Sequence, residues 1–142
     1  ILFACQTEDK DFQEIQAAHQ AIINQIGHSW QISELSITTE NGDTSHYNLG
    51  VIRFVPCKTT RQNAVGCNEG GTYQVGQKPE ITFDYNVNAT TRQVQILVPE
   101  QSRTIENVDN LSDNWEISKV SEDSLILSHG GYRVRTLKLT RE

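Results

Sequence analysis

The sequence predicts a mainly β fold: an eight-stranded, up-and-down antiparallel barrel preceded by one N-terminal α-helix. Three observations carry this expectation. Apolar residues recur at helical spacing only before Gly27, and from Trp30 onward they alternate with a period of two. About eight alternating segments follow one another, mostly joined by short connections rich in Gly, Asn, Asp and Pro. In three segments the alternation slips by one residue, the mark of a β-bulge, and bulges bend strands as a closing sheet requires. A two-sheet sandwich is the main alternative; it needs longer crossing connections than this chain mostly supplies.

The helix is read over 11–26, "DFQEIQAAHQAIINQI", from the stripe Phe12, Ile15, Ala18, Ile22 and Ile26. Asp11 is placed to cap its start and Gly27 to end it. His19 lies near the stripe and reads as a packing residue. Strands are read over 29–39, 46–56, 71–76, 80–88, 92–99, 114–120, 123–129 and 132–141. The cleanest is 80–88, where Ile81, Phe83, Tyr85 and Val87 alternate with Thr82, Asp84, Asn86 and Asn88. The slips fall between Ile32 and Leu35, between Leu49 and Ile52 across Gly50, and between Val134 and Leu137.

The chain of 142 residues is divided into a short lead, 1–10, and one domain, 11–142, with the barrel over 29–141. Acidic residues outnumber basic ones, 18 to 12, for a net charge of −6. The basic residues are scattered apart from Arg133 and Arg135, so no concentrated positive surface for nucleic acid is expected. No apolar run has the length of a membrane span, so any membrane association must come through an anchor.

An anchor is what the opening residues suggest. Leu2-Phe3-Ala4-Cys5 resembles a bacterial lipobox, the end of a lipoprotein signal peptide, with a small residue before a cysteine. The resemblance implies lipid attachment at Cys5, and "QTEDKD" then reads as a polar tether. Gln6 is not the aspartate that retains some lipoproteins in an inner membrane, and the acidic cluster Glu8, Asp9, Asp11 resembles surface-export signals of some Bacteroidetes lipoproteins. If Cys5 carries lipid, Cys57 and Cys67 remain as a pair, which an exported protein would oxidise to a disulfide. They flank the nine residues "KTTRQNAVG", with Gly66 giving freedom to the return turn. A zinc site would need His46 or His129 as well, at a spacing that matches no finger pattern, so no metal is expected.

No catalytic set is found. "GHSWQ" lacks the second Gly of a nucleophile elbow. "NEGGTY" lacks the Lys-Ser/Thr of a phosphate loop. Asp84 and Glu34 could be imagined as a carboxylate pair, but alternation turns Asp84 to solvent. The protein is therefore read as a non-enzyme without a cofactor. Its candidate binding surface is the inward aromatic set Tyr47, Phe54, Tyr73, Phe83, Tyr85 and Trp115. These rings either fill the barrel by packing on one another or line a cup for one small ligand, and buried hydroxyls among them would need partners.

Residues 27–142 resemble the lipocalin-like domain of Bacteroidetes lipoproteins, relatives of the calycin barrels. The likeness lies in "GHSW" at the first strand, "RFVPCK…GC…GGTYQV" in mid-chain, "NLSDNWEISKVSEDSLILS", and the final "YRVRTLKLTR". It implies that Trp30 pairs with Arg141 of the last strand as a structural cation–π lid over the closed end. It also implies a monomeric, membrane-anchored lipoprotein that binds a small apolar or amphipathic ligand in the barrel without catalysis. The location implied is the bacterial cell envelope, at the outer membrane's periplasmic face or the cell surface. The alternative is a closed-barrel interaction or structural module of an envelope complex.

Overall fold

The computed structural model describes residues 2–47, 50–57, 66–102, 111–131 and 133–142, and their side chains apart from those of 2–10 and 12. The chain runs α1 (Leu2–Ile26), β1 (Ser29–Thr38), β2 (Thr44–Tyr47), β3 (Gly50–Phe54), β4 (Gly66–Gln74), β5 (Ile81–Asn88), β6 (Gln93–Leu97), a 3-10 turn (Glu100–Ser102), β7 (Asp113–Val120), β8 (Ser124–His129) and β9 (Val134–Arg141). Every strand pairing is antiparallel, and from β3 to β9 each strand bonds the next. β1 also pairs with β9, from Trp30↔Arg141 to Thr38↔Val134, and that ladder closes the sheet into a barrel.

β2 and β3 lie along the same side of β1 in one register, with Leu35↔Tyr47 above and Ile32↔Gly50 below. They form a single stave, so the closed barrel has eight. The strand expected over 46–56 is thus two pieces, parted beside Gly50, whose φ of 83° is a left-handed conformation that glycine adopts without strain. A Cβ at Gly50 would also stand 2.2 Å from the Gln74 carbonyl oxygen, so the neighbouring backbone needs glycine there.

The first expected slip is a bulge. The β1–β9 register shifts between Ile32 and Glu34, and the extra residue, Ser33, donates its hydroxyl to the Lys138 carbonyl at 2.9 Å. The third expected slip is not. β9 holds one register along β8 from Ser124↔Thr140 to His129↔Arg135, and Val134 is simply exposed. Tyr132, which suggested that slip, lies outside the described residues. A bulge the alternation did not reveal lies in β7, where the register against β8 shifts between Ile117 and Lys119.

Two boundaries differ from expectation. α1 starts at Leu2 rather than Asp11, because "LFACQTEDK" has neither Gly nor Pro and continues the helix without needing a cap at Asp11. Its packed face is also shorter than the stripe: Ile23 and Ile26 are fully buried and Ile22 partly, whereas Ile15 and Ala18 are exposed. Among the described side chains, those of the last turns of α1 meet the barrel; the Phe12 side chain lies outside the described set. β4 starts at Gly66 rather than 71, since "GCNEG" pairs with β5 from Gly66↔Asn88 to Gly70↔Asp84. Gly66 is therefore a strand residue and not a turn glycine, and its Cβ would stand 2.8 Å from the Val87 carbonyl oxygen.

The up-and-down order gives the barrel two ends. The helix end gathers α1's last turn, Trp30, Phe54, the turns after β5 and β7, and Arg141. The far end gathers the turns after β1, β4 and β8. Inward residues of all the staves, with Ile23 and Ile26, make one apolar core.

Candidate functional site

The structure brings three of the inward aromatic residues into ring contact. Phe54, Phe83 and Tyr85 cluster edge-to-face, with Phe54 at 5.8 Å from Phe83 and 4.9 Å from Tyr85. Gly71 makes room for that cluster, since a Cβ there would stand 2.4 Å from the Phe83 ring. The Tyr85 hydroxyl donates to the Val55 carbonyl and lies 3.5 Å from Cys57 Sγ. Burial, and secondarily the charge of Glu69, raises its pKa. Cys57 and Cys67 are joined as a disulfide, with Cα atoms 6.0 Å apart, and so tie the end of the β3 arm to β4. Their intervening segment 58–65 lies outside the described residues, as does the Cys5 side chain.

Trp30 is fully buried at the helix end. Its indole N–H donates to the Ile26 carbonyl at 3.0 Å, and the Arg141 guanidinium carbon lies 5.0 Å from its ring centroid. Arg141 Nε donates in turn to the Glu122 carbonyl at 3.0 Å. This stack binds α1, β1, β9 and the β7–β8 turn together.

A second stack of the same design lies toward the far end. Trp115 is fully buried, its indole N–H donates to the Leu111 carbonyl at 2.9 Å, and the Arg135 guanidinium carbon lies 5.3 Å from its ring. Arg135 also donates to the Asp113 carboxylate. His129 completes the group: Nδ1–H donates to the Asn114 carbonyl at 2.8 Å, and Nε2 lies 3.6 Å from the same carboxylate. Burial pushes the Asp113 carboxyl up, but the Asn114 amide, the Arg135 hydrogen bond and charge, and His129 together hold it below its ordinary pKa. Trp115 belonged to the expected ligand-binding set, and Arg135 was noted only as part of a basic pair. The signal that finds the stack is "RTLKLTR", which puts Arg135, Leu137, Leu139 and Arg141 on one face of β9.

Tyr73 stands apart from both groups. It lies between Ile52 on β3 and Ile81 on β5, is 1% exposed, and its hydroxyl has no hydrogen-bond partner among the described residues. Burial raises its pKa to about 12, so the hydroxyl stays protonated. Tyr47 is half-buried on the stave between the two ends. No charged residue is fully buried among those described.

Outside the barrel, Glu34 contacts His46 and lies 3.6 Å from Lys138 in an exposed group. Asp84 is exposed to solvent. Among the described residues no three His, Cys, Asp or Glu side chains converge as a metal site, and no helix is long and apolar enough to cross a membrane. An open depression of about 400 Å³, lined by Asn68, Glu69, Gly70, Asp84, Tyr85, Asn86 and Leu97, gathers amides and two carboxylates without enclosing them.

No family model matches the chain, and no curated protein matches it. Among solved structures it is similar to a lipocalin-like protein from Bacteroides uniformis, at 13% identity over 83% of this chain and 99% of that one, with a TM-score of 0.52. An uncharacterized protein from Bacteroides eggerthii is similar at 8% identity over 81% of this chain and 98% of that one, TM-score 0.48. Japanin from Rhipicephalus appendiculatus, solved bound to cholesterol, is similar at 16% identity over 82% of this chain and 77% of that one, TM-score 0.43. Likeness at these identities speaks to the fold alone. With eight staves closed by the β1–β9 ladder and a helix packed at one end, the chain adopts the lipocalin-like barrel fold of the calycin type.

Proposed function

We propose that the protein is a lipid-anchored, non-catalytic binding protein of the bacterial cell envelope that takes one small apolar or amphipathic ligand inside the barrel. The observation that carries the reading is the Tyr73 hydroxyl, a protonated group enclosed by apolar residues and lacking a partner among the described residues. Leaving such a group unsatisfied costs about 1–3 kcal/mol, and a ligand with a polar atom beside an apolar body offsets that cost. The barrel wall around it is apolar, as an apolar ligand requires.

Cys5 is the proposed anchor, and the rest of α1 is a stiff spacer of about 30 Å that ends where Ile23 and Ile26 dock on the barrel. The protein then acts as a monomer, at the outer membrane's periplasmic face or the cell surface. Intact mass of the protein from its native membranes tests the anchor. A mass beginning at Cys5 with diacylglycerol and acyl chains supports it, and an unlipidated mass refutes it.

Titration with diphenylhexatriene, a pure hydrocarbon dye, tests the barrel. Saturable binding at one site per chain is expected. Absence of saturable binding would favour a closed-barrel interaction or structural module in an envelope complex. That second reading draws on the packed Phe54–Phe83–Tyr85 cluster and on the Trp–Arg stacks at both ends.

A further inference from the structure

We infer that the ligand is an uncharged amphiphile whose single polar head, an alcohol, ketone or ester oxygen, is hydrogen-bonded by Tyr73 inside the barrel. The inference rests on the binding reading above and adds the charge class of the ligand and the residue that selects it. Tyr73 supplies one hydroxyl, a donor that also has acceptor capacity, and its flanking partners Ile52 and Ile81 supply neither. One hydrogen-bonding point in an apolar surround matches a ligand with one polar atom.

The same surroundings argue against an ionic head. A carboxylate or phosphate taken into this interior would need a cation, since an unpaired buried charge costs far more than a buried hydroxyl. The described residues place two cations on the inner face of β9, and both are engaged. Arg141 covers Trp30 and donates to the Glu122 carbonyl, while Arg135 covers Trp115 and donates to Asp113. Recruiting either one would dismantle its stack on the tryptophan. A cationic head fares no better at Tyr73, because no fully buried residue among those described is acidic and the half-buried Glu69 lies beside Tyr85, four residues before Tyr73 on β4. The desolvated phenol, with a pKa of about 12, is a neutral donor at pH 8 and cannot serve as a counter-ion.

The test compares two probes with one apolar body, decan-1-ol and decanoate, at pH 8. Each competes with diphenylhexatriene on the full chain and on Tyr73→Phe. For the unsubstituted protein, decan-1-ol is expected to displace the dye at a concentration at least about tenfold lower than decanoate. Tyr73→Phe keeps the ring and removes the hydroxyl. It is expected to weaken decan-1-ol by about fivefold relative to the dye, which has no polar atom; that is the size of one net hydrogen bond.

Equal displacement by decanoate, or decan-1-ol binding indifferent to Tyr73→Phe, overturns the inference while the dye result leaves the binding reading standing. In the second case the hydroxyl is satisfied by water alone. Failure of the dye and both competitors to bind overturns the inference and the binding reading together. The comparison of the two probes on the unsubstituted protein needs no variant, so it holds even if Tyr73→Phe folds poorly.

Discussion

The Trp30–Arg141 stack makes a sharp energetic prediction, because its two members share one small volume but hold different elements. Trp30→Leu removes the indole and its bond to Ile26 while keeping much of the apolar volume, for an expected loss of about 2–3 kcal/mol. Arg141→Ala removes the cation over the ring, worth about 0.5–1 kcal/mol, and a charged donor to Glu122, worth about 1.5 kcal/mol. If the stack acts as a unit, the double variant loses less than the two single losses combined, by about 0.5–1.5 kcal/mol. Urea unfolding of the four proteins measures this, with hydrogen exchange of the last turn of α1 reporting whether the helix is released. His28 gives an independent readout. Its pKa is held low first by burial and second by Arg141, so Arg141→Ala should raise it only part of the way to the ordinary value. Losses that add within about 0.3 kcal/mol would refute the argument that Trp30 and Arg141 form one device.

Asp113 should show itself in acid. Its pKa is depressed in the folded state, so its contribution is complete above the unfolded value near 4 and is lost as pH falls through the lower folded value. Stability measured from about pH 5 downward should therefore fall less steeply in Asp113→Asn than in the unsubstituted protein, and equal slopes would contradict the assignment. Tyr73→Phe should stabilise the ligand-free protein by about 1 kcal/mol, since it deletes a buried hydroxyl without leaving a cavity. A thermal melt decides it, and a lower midpoint would mean that the hydroxyl has a structural partner.

What was legible in the sequence is what short-range periodicity encodes. Ile81, Phe83, Tyr85 and Val87 face inward as their alternation with Thr82, Asp84, Asn86 and Asn88 predicts, because a half-buried strand repeats every two residues. The bulge at Ser33 was legible for the same reason. β4 was half missed because "GCNEG" has poor strand propensity, and its extended form comes from pairing with β5. α1 was misjudged in both directions. Helix propensity carries the backbone back to Leu2, whereas burial depends on where the barrel is, and among the described apolar side chains of α1 it takes in Ile22, Ile23 and Ile26 and leaves Ile15 exposed. In the candidate site, the inward direction of Tyr73 and Trp115 could be read from spacing. The missing partner of one and the guanidinium over the other could not, because both depend on atoms brought together across the barrel.

β9 explains why the register of this barrel is strongly specified. Its inner face reads Arg135, Leu137, Leu139, Arg141, a charge at each end of an apolar pair. A slip of one residue would turn both leucines out of the core and both guanidiniums away from their rings, so the two stacks and the core all oppose it. β1 must match that face along its whole length, yet its own apolar residues change phase between Ile32 and Leu35. The bulge at Ser33 absorbs the change, so that Trp30, Ile32, Leu35 and Ile37 stand opposite Arg141, Leu139, Leu137 and Arg135. One extra residue in β1 thus lets β9 hold both guanidiniums on their rings and both leucines in the core.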